Sequence, residues 1–391
     1  MQKRNIRLKE LGTNINKIYA PTLEYLENCP RLNKNEVYEI TTDNEGNQPT
    51  IFGNESNNKI FMIGDSSIEC MYIRNSKKVH TALEEILLKN GYDYEIKNLG
   101  TSGSQTLNII NLLINKLINK TNSTVIIALP SNDEGPLLYE EDYFSPHIYH
   151  ATILPATERK VKRNNEINIE IYKRNLGLIK AICNQLNLKL LFTSICYTTD
   201  APHLKTINNI AREYCNINKI PFLDLEEEFQ INSHFFYDKL HFLPEGSVFF
   251  AQKLFNFLKD QLIQNSKKNL EILKFNCSGM LEKNTIWSET ISNINSQTKI
   301  KLVIDFEHLE NTKTPALYAI DYFNIKTKVS LIKSENPDIG YYKYFSGQPS
   351  KRVEKVFNIE IPSDCKEIKV GIRKWDGRGI YVHNAFLSVL K

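Results

Sequence analysis

Between Lys59 and Ile263, short apolar runs alternate with stretches whose apolar residues recur at helical spacing. That alternation leaves the chain few folds to choose from. Strands are predicted at Lys59–Ile63, Tyr94–Leu99, Thr124–Leu129, Leu188–Thr193 and Pro221–Leu225. Helices are predicted near Ile68–Leu88, Gln105–Ile118, Ile169–Leu186, Leu204–Cys215 and Pro244–Ile263. Strands this short and apolar, separated by helices, belong in a parallel sheet covered on both faces, an α/β fold. The expectation is a five-stranded parallel sheet with its ligand site outside the carboxyl ends of the strands.

The pattern changes after the polar stretch Gln264–Asn269. Lys299–Phe306 and Glu367–Trp375 alternate with period two, and further strand patterns fall at Leu317–Ile325, Lys328–Ile332, Val353–Ile361 and Ile380–Leu390. Residues 270–391 are therefore predicted to form an all-β sandwich. Residues 1–58, broken by Pro21, Pro30 and Pro49, are an irregular lead-in expected to pack on a domain spanning 59–266. Within that domain, 134–168 is long for a strand-to-helix connection. It holds Tyr139, Tyr143, Phe144, His147, Tyr149 and His150, then a basic run from Arg159 through Lys160 and Lys162 to Arg163. It is predicted to be a lid or substrate-binding insertion.

Composition excludes several classes. Lys and Arg number 49 against 45 Asp and Glu, a net charge of +4 that argues against a dedicated nucleic-acid binder. No run approaches the ~18 apolar residues of a membrane span. The basic N-terminus is not followed by an apolar segment, so no signal peptide is expected. Seven cysteines without a Cys-x-x-Cys pair fit free thiols in a reducing cytoplasm. The oligomeric state is not legible.

Four short blocks fall at or near strand ends. Gly64-Asp65-Ser66-Ser67 follows the first strand, and a serine there is either a nucleophile at a helix N-terminus or an N-cap. Asn98-Leu99-Gly100-Thr101-Ser102-Gly103 follows the second, and its glycines allow a tight turn that points N–H groups at a ligand. Pro130-Ser131-Asn132-Asp133 follows the third; Asn132 has a side-chain N–H to offer an oxyanion, and Asp133 suits a cap or an Asx turn. In Asp238-Lys239-Leu240-His241 the carboxylate can bond the imidazole Nδ1–H and leave Nε2 free to take a hydroxyl proton.

Taken in this order, the blocks resemble those of the SGNH (GDSL-type) hydrolase superfamily, over about Lys59–Ile263. The resemblance implies a three-layer α/β/α domain. It implies Ser66 as nucleophile, His241 as general base and Asp238 as its orienting partner. The oxyanion hole would be the Ser66 and Gly103 backbone N–H groups with the Asn132 amide. Two departures stand out: Pro130 replaces the family's glycine, and Phe242 rather than proline follows His241. Residue 68 is Ile, so the Gly-x-Ser-x-Gly elbow of α/β-hydrolases is absent. Val37–Gly46 also looks like the strand that precedes the serine in SGNH proteins linked to bacterial surface polysaccharides.

Substrate contacts are expected from Asp65, Tyr143, His147, Arg159 and Lys160, with no metal. His147 and His150 lack an evident third ligand, and Cys70 is expected to be a buried helix cysteine. Tyr341, Tyr342, Tyr344 and Trp375 are expected mainly to fill the sandwich core, with stacking on sugars as the alternative. The functional expectation is a serine esterase that removes O-acetyl groups from a carbohydrate and needs no cofactor. The alternatives are an O-acetyltransferase using acetyl-CoA as donor to a capsular or surface polysaccharide, and an inactive glycan-binding protein.

Overall fold

The computed structural model describes residues 9–147, 160–198, 201–264, 268–295, 297–309, 315–324, 327–328, 341–363, 365–376 and 379–391. The lead-in supplies β1 (Asn16–Tyr19), α1 (Leu23–Asn28), β2 (Tyr38–Thr41) and β3 (Gln48–Pro49). Next come β4 (Lys59–Ile63), α2 (Ser66–Glu69), α3 (Val79–Lys89), β5 (Glu95–Asn98), α4 (Thr106–Lys116) and β6 (Thr124–Ala128). The unit is completed by α5 (Glu134–Leu137), α6 (Ile169–Gln185), β7 (Lys189–Thr193), α7 (Pro202–Asn218), β8 (Phe222–Leu223), α8 (Glu226–Ile231) and α9 (Pro244–Leu258).

These strands form one sheet in the order β3-β5-β4-β6-β7-β8, with β5, β4, β6, β7 and β8 parallel. The sequence does not announce β3, which adds an antiparallel edge through Gln48↔Asn98 and Pro49↔Lys97. An edge is where a strand tolerates a proline. Alternate residues of the central strands enter opposite cores. Phe61, Ile63, Val125 and Ile127 pack with α4, α6 and α7. Ile60, Met62, Ile126 and Ala128 pack with α3 and α9. The chain steps from β4 to one neighbour and later to the other, and the crevice at that reversal is where the site forms.

The helix expected over Ile68–Leu88 is broken. α2 stops after one turn, Cys70 takes a left-handed conformation (φ 53°), and α3 starts at Val79. Tertiary donors explain the break. Asn98 Nδ2 donates to Ile68 O at 2.7 Å and Gln48 Nε2 to Glu69 O at 3.2 Å, which takes carbonyls a longer helix would use. The insertion is anchored at its described ends. Asn164 N–H donates to Leu138 O and Asn168 N–H to Leu137 O, and Tyr143 is buried beneath.

The remainder is all β: β9 (Leu270–Lys274), β10 (Gly279–Met280), β11 (Ile286–Trp287), β12 (Ile291–Ser292), β13 (Lys299–His308), β14 (Ala316–Asn324), β15 (Thr327–Lys328), β16 (Tyr341–Phe345), β17 (Lys351–Ile359), β18 (Glu367–Lys374) and β19 (Ile380–Leu390). One sheet runs β10-β19-β13-β17 with β9 also on β19; the other runs β11-β18-β14-β15 with β12 on β18 and β16 on β14. Their inner faces share a core that includes Leu302, Ile304, Tyr318, Ile320, Val370, Ile372 and Val382. The other face of β13 meets the α/β unit, where Val303 packs with Ile51, Phe52 and Leu88. Arg74 bonds Asp305 at 2.9 Å and Glu36 at 2.6 Å, joining sandwich, lead-in and the segment after α2. The aromatics divide: Tyr341 packs against the core, whereas Tyr342 and Trp375 lie outside it over Leu317 and Ala319.

Candidate active site

α2 begins the site. Asp65 caps it, with Oδ1 accepting the Ser67 N–H at 2.9 Å. Because the cap is Asp65, the Ser66 hydroxyl is not used as one. Two glycines make room. A Cβ on Gly64 would lie 2.6 Å from Ile68 Cγ1, and one on Gly100 would lie 2.6 Å from the Glu69 backbone nitrogen. The loop after β5 can therefore run directly beneath α2.

His241 Nε2 is 2.7 Å from Ser66 Oγ. Its Nδ1 is 2.6 Å from Asp238 Oδ2. Asp238 Oδ1 accepts the N–H groups of Leu240 at 2.8 Å and His241 at 2.7 Å, so the three-residue spacing closes a small turn. The Tyr237 ring stacks on the imidazole at 5.4 Å and 8°. Burial pushes the His241 pKa down, but its hydrogen bond to Asp238 and the nearby carboxylates outweigh this and hold it above the ordinary imidazole value. Burial pushes Asp238 up, yet the bonds it accepts leave it below the ordinary carboxylate value.

The loop after β6 is tied to the same turn. Asp65 Oδ2 accepts from Ser131 N–H and Ser131 Oγ, both at 2.8 Å, and from Asn132 Nδ2 at 3.2 Å. Gly100 N–H donates to Asn98 Oδ1 at 2.8 Å. Gly103, at φ 71°, has no such intramolecular bond from its N–H among the described residues. Gly103 and Asn132 border an open cleft of about 630 Å³, together with Lys9, Gln105, Glu134, Tyr139, His147, Arg163 and Leu240. The Lys9 ammonium hangs over Gly103. A cavity behind Asp65 and Ser67 measures only about 10 Å³.

Several expected contacts move. Asp65 is buried, and both its oxygens are engaged inside the protein, so it organises the loops and does not face substrate. Tyr143 is buried too, and its hydroxyl donates to Asp133. Asp133, which also accepts from Thr106, joins the loop after β6 to the start of α4; burial pushes its pKa up to about 7. His147 borders the cleft and stacks on Tyr139 at 5.0 Å. Lys160 is exposed and outside the cleft wall, where the basic run instead contributes Arg163. Arg159, Tyr149 and His150 lie outside the described residues. Burial pushes the Cys70 thiol up to about 11, which leaves it unreactive.

The site also holds a residue that no motif signals. Tyr25, from α1, donates its hydroxyl to Asp238 Oδ2 at 3.1 Å.

No family model and no curated protein matches the chain. Solved structures that resemble it are GDSL-type lipases and acylhydrolases and acetyl xylan esterases. A lipase/acylhydrolase from Enterococcus faecalis is 18% identical, covering 54% of this chain and 99% of that one, with a TM-score of 0.40. A putative GDSL-like lipase from Parabacteroides merdae is 16% identical over 54% and 99%, at 0.40. An acetylxylan esterase from Geobacillus stearothermophilus is 13% identical over 55% and 99%, at 0.41.

Proposed function

We propose that this chain is a serine-dependent ester hydrolase that removes O-acetyl groups from a carbohydrate. The observation that carries the proposal is the relay of 2.7 Å from Ser66 Oγ to His241 Nε2 and 2.6 Å from His241 Nδ1 to Asp238 Oδ2. Such a relay activates a hydroxyl that is otherwise a weak nucleophile.

His241 Nε2 takes the hydroxyl proton as Ser66 Oγ attacks the ester carbonyl carbon. The developing oxyanion accepts hydrogen bonds from Ser66 N–H, Gly103 N–H and Asn132 Nδ2. Asn132 gives one amide hydrogen to Asp65, which leaves the other for the oxyanion. Collapse breaks the ester bond, the departing alkoxide takes the proton from His241, and the acyl group stays on Ser66. Water then enters by the same route and releases the acid.

One feature supports a polar carrier for the acyl group. The cleft is lined by Gln105, Asn132, Glu134, His147 and Arg163, groups suited to bonding sugar hydroxyls.

A fluorophosphonate probe should label the wild-type chain and not Ser66→Ala. Mass spectrometry of acetylated oligosaccharides should show loss of acetyl groups with wild type alone. Transfer of acetyl from acetyl-CoA to unmodified oligosaccharide, without hydrolysis, would replace the esterase reading with a transferase. Equal activity in Ser66→Ala would overturn the mechanism.

A further inference from the structure

α1 is a poor core element. It has six residues, none fully buried, and Leu23 is 80% exposed. It turns Leu26 and Tyr25 inward, and the Tyr25 phenol ends on the carboxylate that orients the imidazole. Building on the function proposed above, we propose that Tyr25 is a positioning residue that fixes Asp238 Oδ2 toward His241 Nδ1, making the lead-in part of the active site.

A carboxylate offers about four lone-pair directions. At Asp238, Oδ1 accepts two backbone N–H groups, and Oδ2 faces His241 Nδ1 at 2.6 Å and Tyr25 Oη at 3.1 Å. Without the phenol, Oδ2 keeps only the imidazole, and the carboxylate is freer to turn about its Cβ–Cγ bond. Tyr25 is itself held in place. Its ring packs on Tyr72 at 5.4 Å and on Tyr237 at 6.4 Å, and Tyr237 is the ring that stacks on His241. Just beyond α1, the Arg31 guanidinium donates to Phe236 O at 2.8 Å and Ser233 O at 3.2 Å, pinning the segment that leads to Asp238. One stretch of lead-in thus holds both the acceptor and its loop.

The contact also bears on charge. Held toward Nδ1, the Asp238 carboxylate favours the imidazolium, so one released to turn away favours it less. The other groups facing this pair are Asp65, which caps α2, and Glu69 within it, whose charges favour the protonated ring. Cys29, Tyr72 and Tyr237 also pack here, and burial raises all three, keeping them neutral.

The test is Tyr25→Phe in the full chain, with Leu23→Ala as an exposed control on the same helix. The His241 ring is titrated by NMR, and kcat and KM are measured across pH on an aryl acetate. In Tyr25→Phe the ring should titrate at lower pH than in wild type, because a carboxylate free to turn holds the imidazolium less well. kcat per folded molecule should fall about tenfold through misplacement of the base, with KM and the unfolding midpoint little changed. Leu23→Ala should match wild type throughout. Superimposable titrations and an unchanged kcat in Tyr25→Phe would overturn the proposal. A displaced titration in a chain whose wild type hydrolyses no ester would support the positioning contact while refuting the esterase reading.

Discussion

Replacing Asp65 with Asn separates the two things this side chain does. In the wild type, Oδ1 caps α2 through the Ser67 N–H at 2.9 Å, and Oδ2 receives three donors from Ser131 and Asn132. An asparagine has one acceptor oxygen and a donor NH₂. If the oxygen keeps the cap, the NH₂ faces the Ser131 N–H and the Asn132 amide, donor against donor. If it flips, the cap is lost. Either way at least one half-buried donor goes unpaired, and a hydrogen bond to a charged group becomes one to a neutral group. The first costs about 1–2 kcal/mol at such a site and the second about 1, so Asp65→Asn should lose about 2–3 kcal/mol of stability. Because Asn132 loses its anchor, the oxyanion donors no longer align with Ser66. kcat should then fall ~10- to 100-fold with KM nearly unchanged, less than the ~10²–10³ expected from deleting an oxyanion donor outright. Urea unfolding by circular dichroism gives the first quantity, and aryl acetate hydrolysis corrected for folded fraction gives the second. A stability loss with wild-type kcat would refute the coupling of Asp65 to the oxyanion site. An unchanged stability would refute the hydrogen-bond argument itself.

Two further outcomes follow from the same geometry. His241 must be neutral to accept the Ser66 proton, and its pKa is held above the ordinary 6.5, so kcat/KM should fall on the acid side with a midpoint above that value; a midpoint well below it would contradict the electrostatic reading. The sign for stability is opposite: the raised pKa stabilises the fold below the unfolded value, and that contribution is lost as pH rises through the folded one. Tyr143→Phe removes the phenol that donates to buried Asp133, so it should lower stability by about 1–3 kcal/mol while leaving KM unchanged. A raised KM with intact stability would restore Tyr143 to the substrate.

Local pattern carried much of this architecture. Apolar runs such as Thr124–Ala128, buried at every position, announce central strands because both faces of the sheet are covered. Ser66, Asp238 and His241 were legible because each sits in a short block whose turn chemistry is local. The break at Cys70 was not, because the donors that end α2 come from Gln48 and Asn98. Tyr143 was misplaced because an aromatic in a long insertion has the same local signature at a substrate as when it is buried on an aspartate.

The sequence by itself placed the central strands, put Ser66 and Asn132 in the turns that follow two of them, and set Asp238 and His241 in one short turn near the end of that unit. Periodicity and turn chemistry act over a few residues, so they can be read from neighbours in the chain. Only the tertiary structure decided how those groups are held. Asp65 reaches Ser131 across 66 positions, and Tyr25 reaches Asp238 across 213. Hydrogen bonds of that span are selected by packing in three dimensions, and no pattern in the neighbouring residues says which groups will pair.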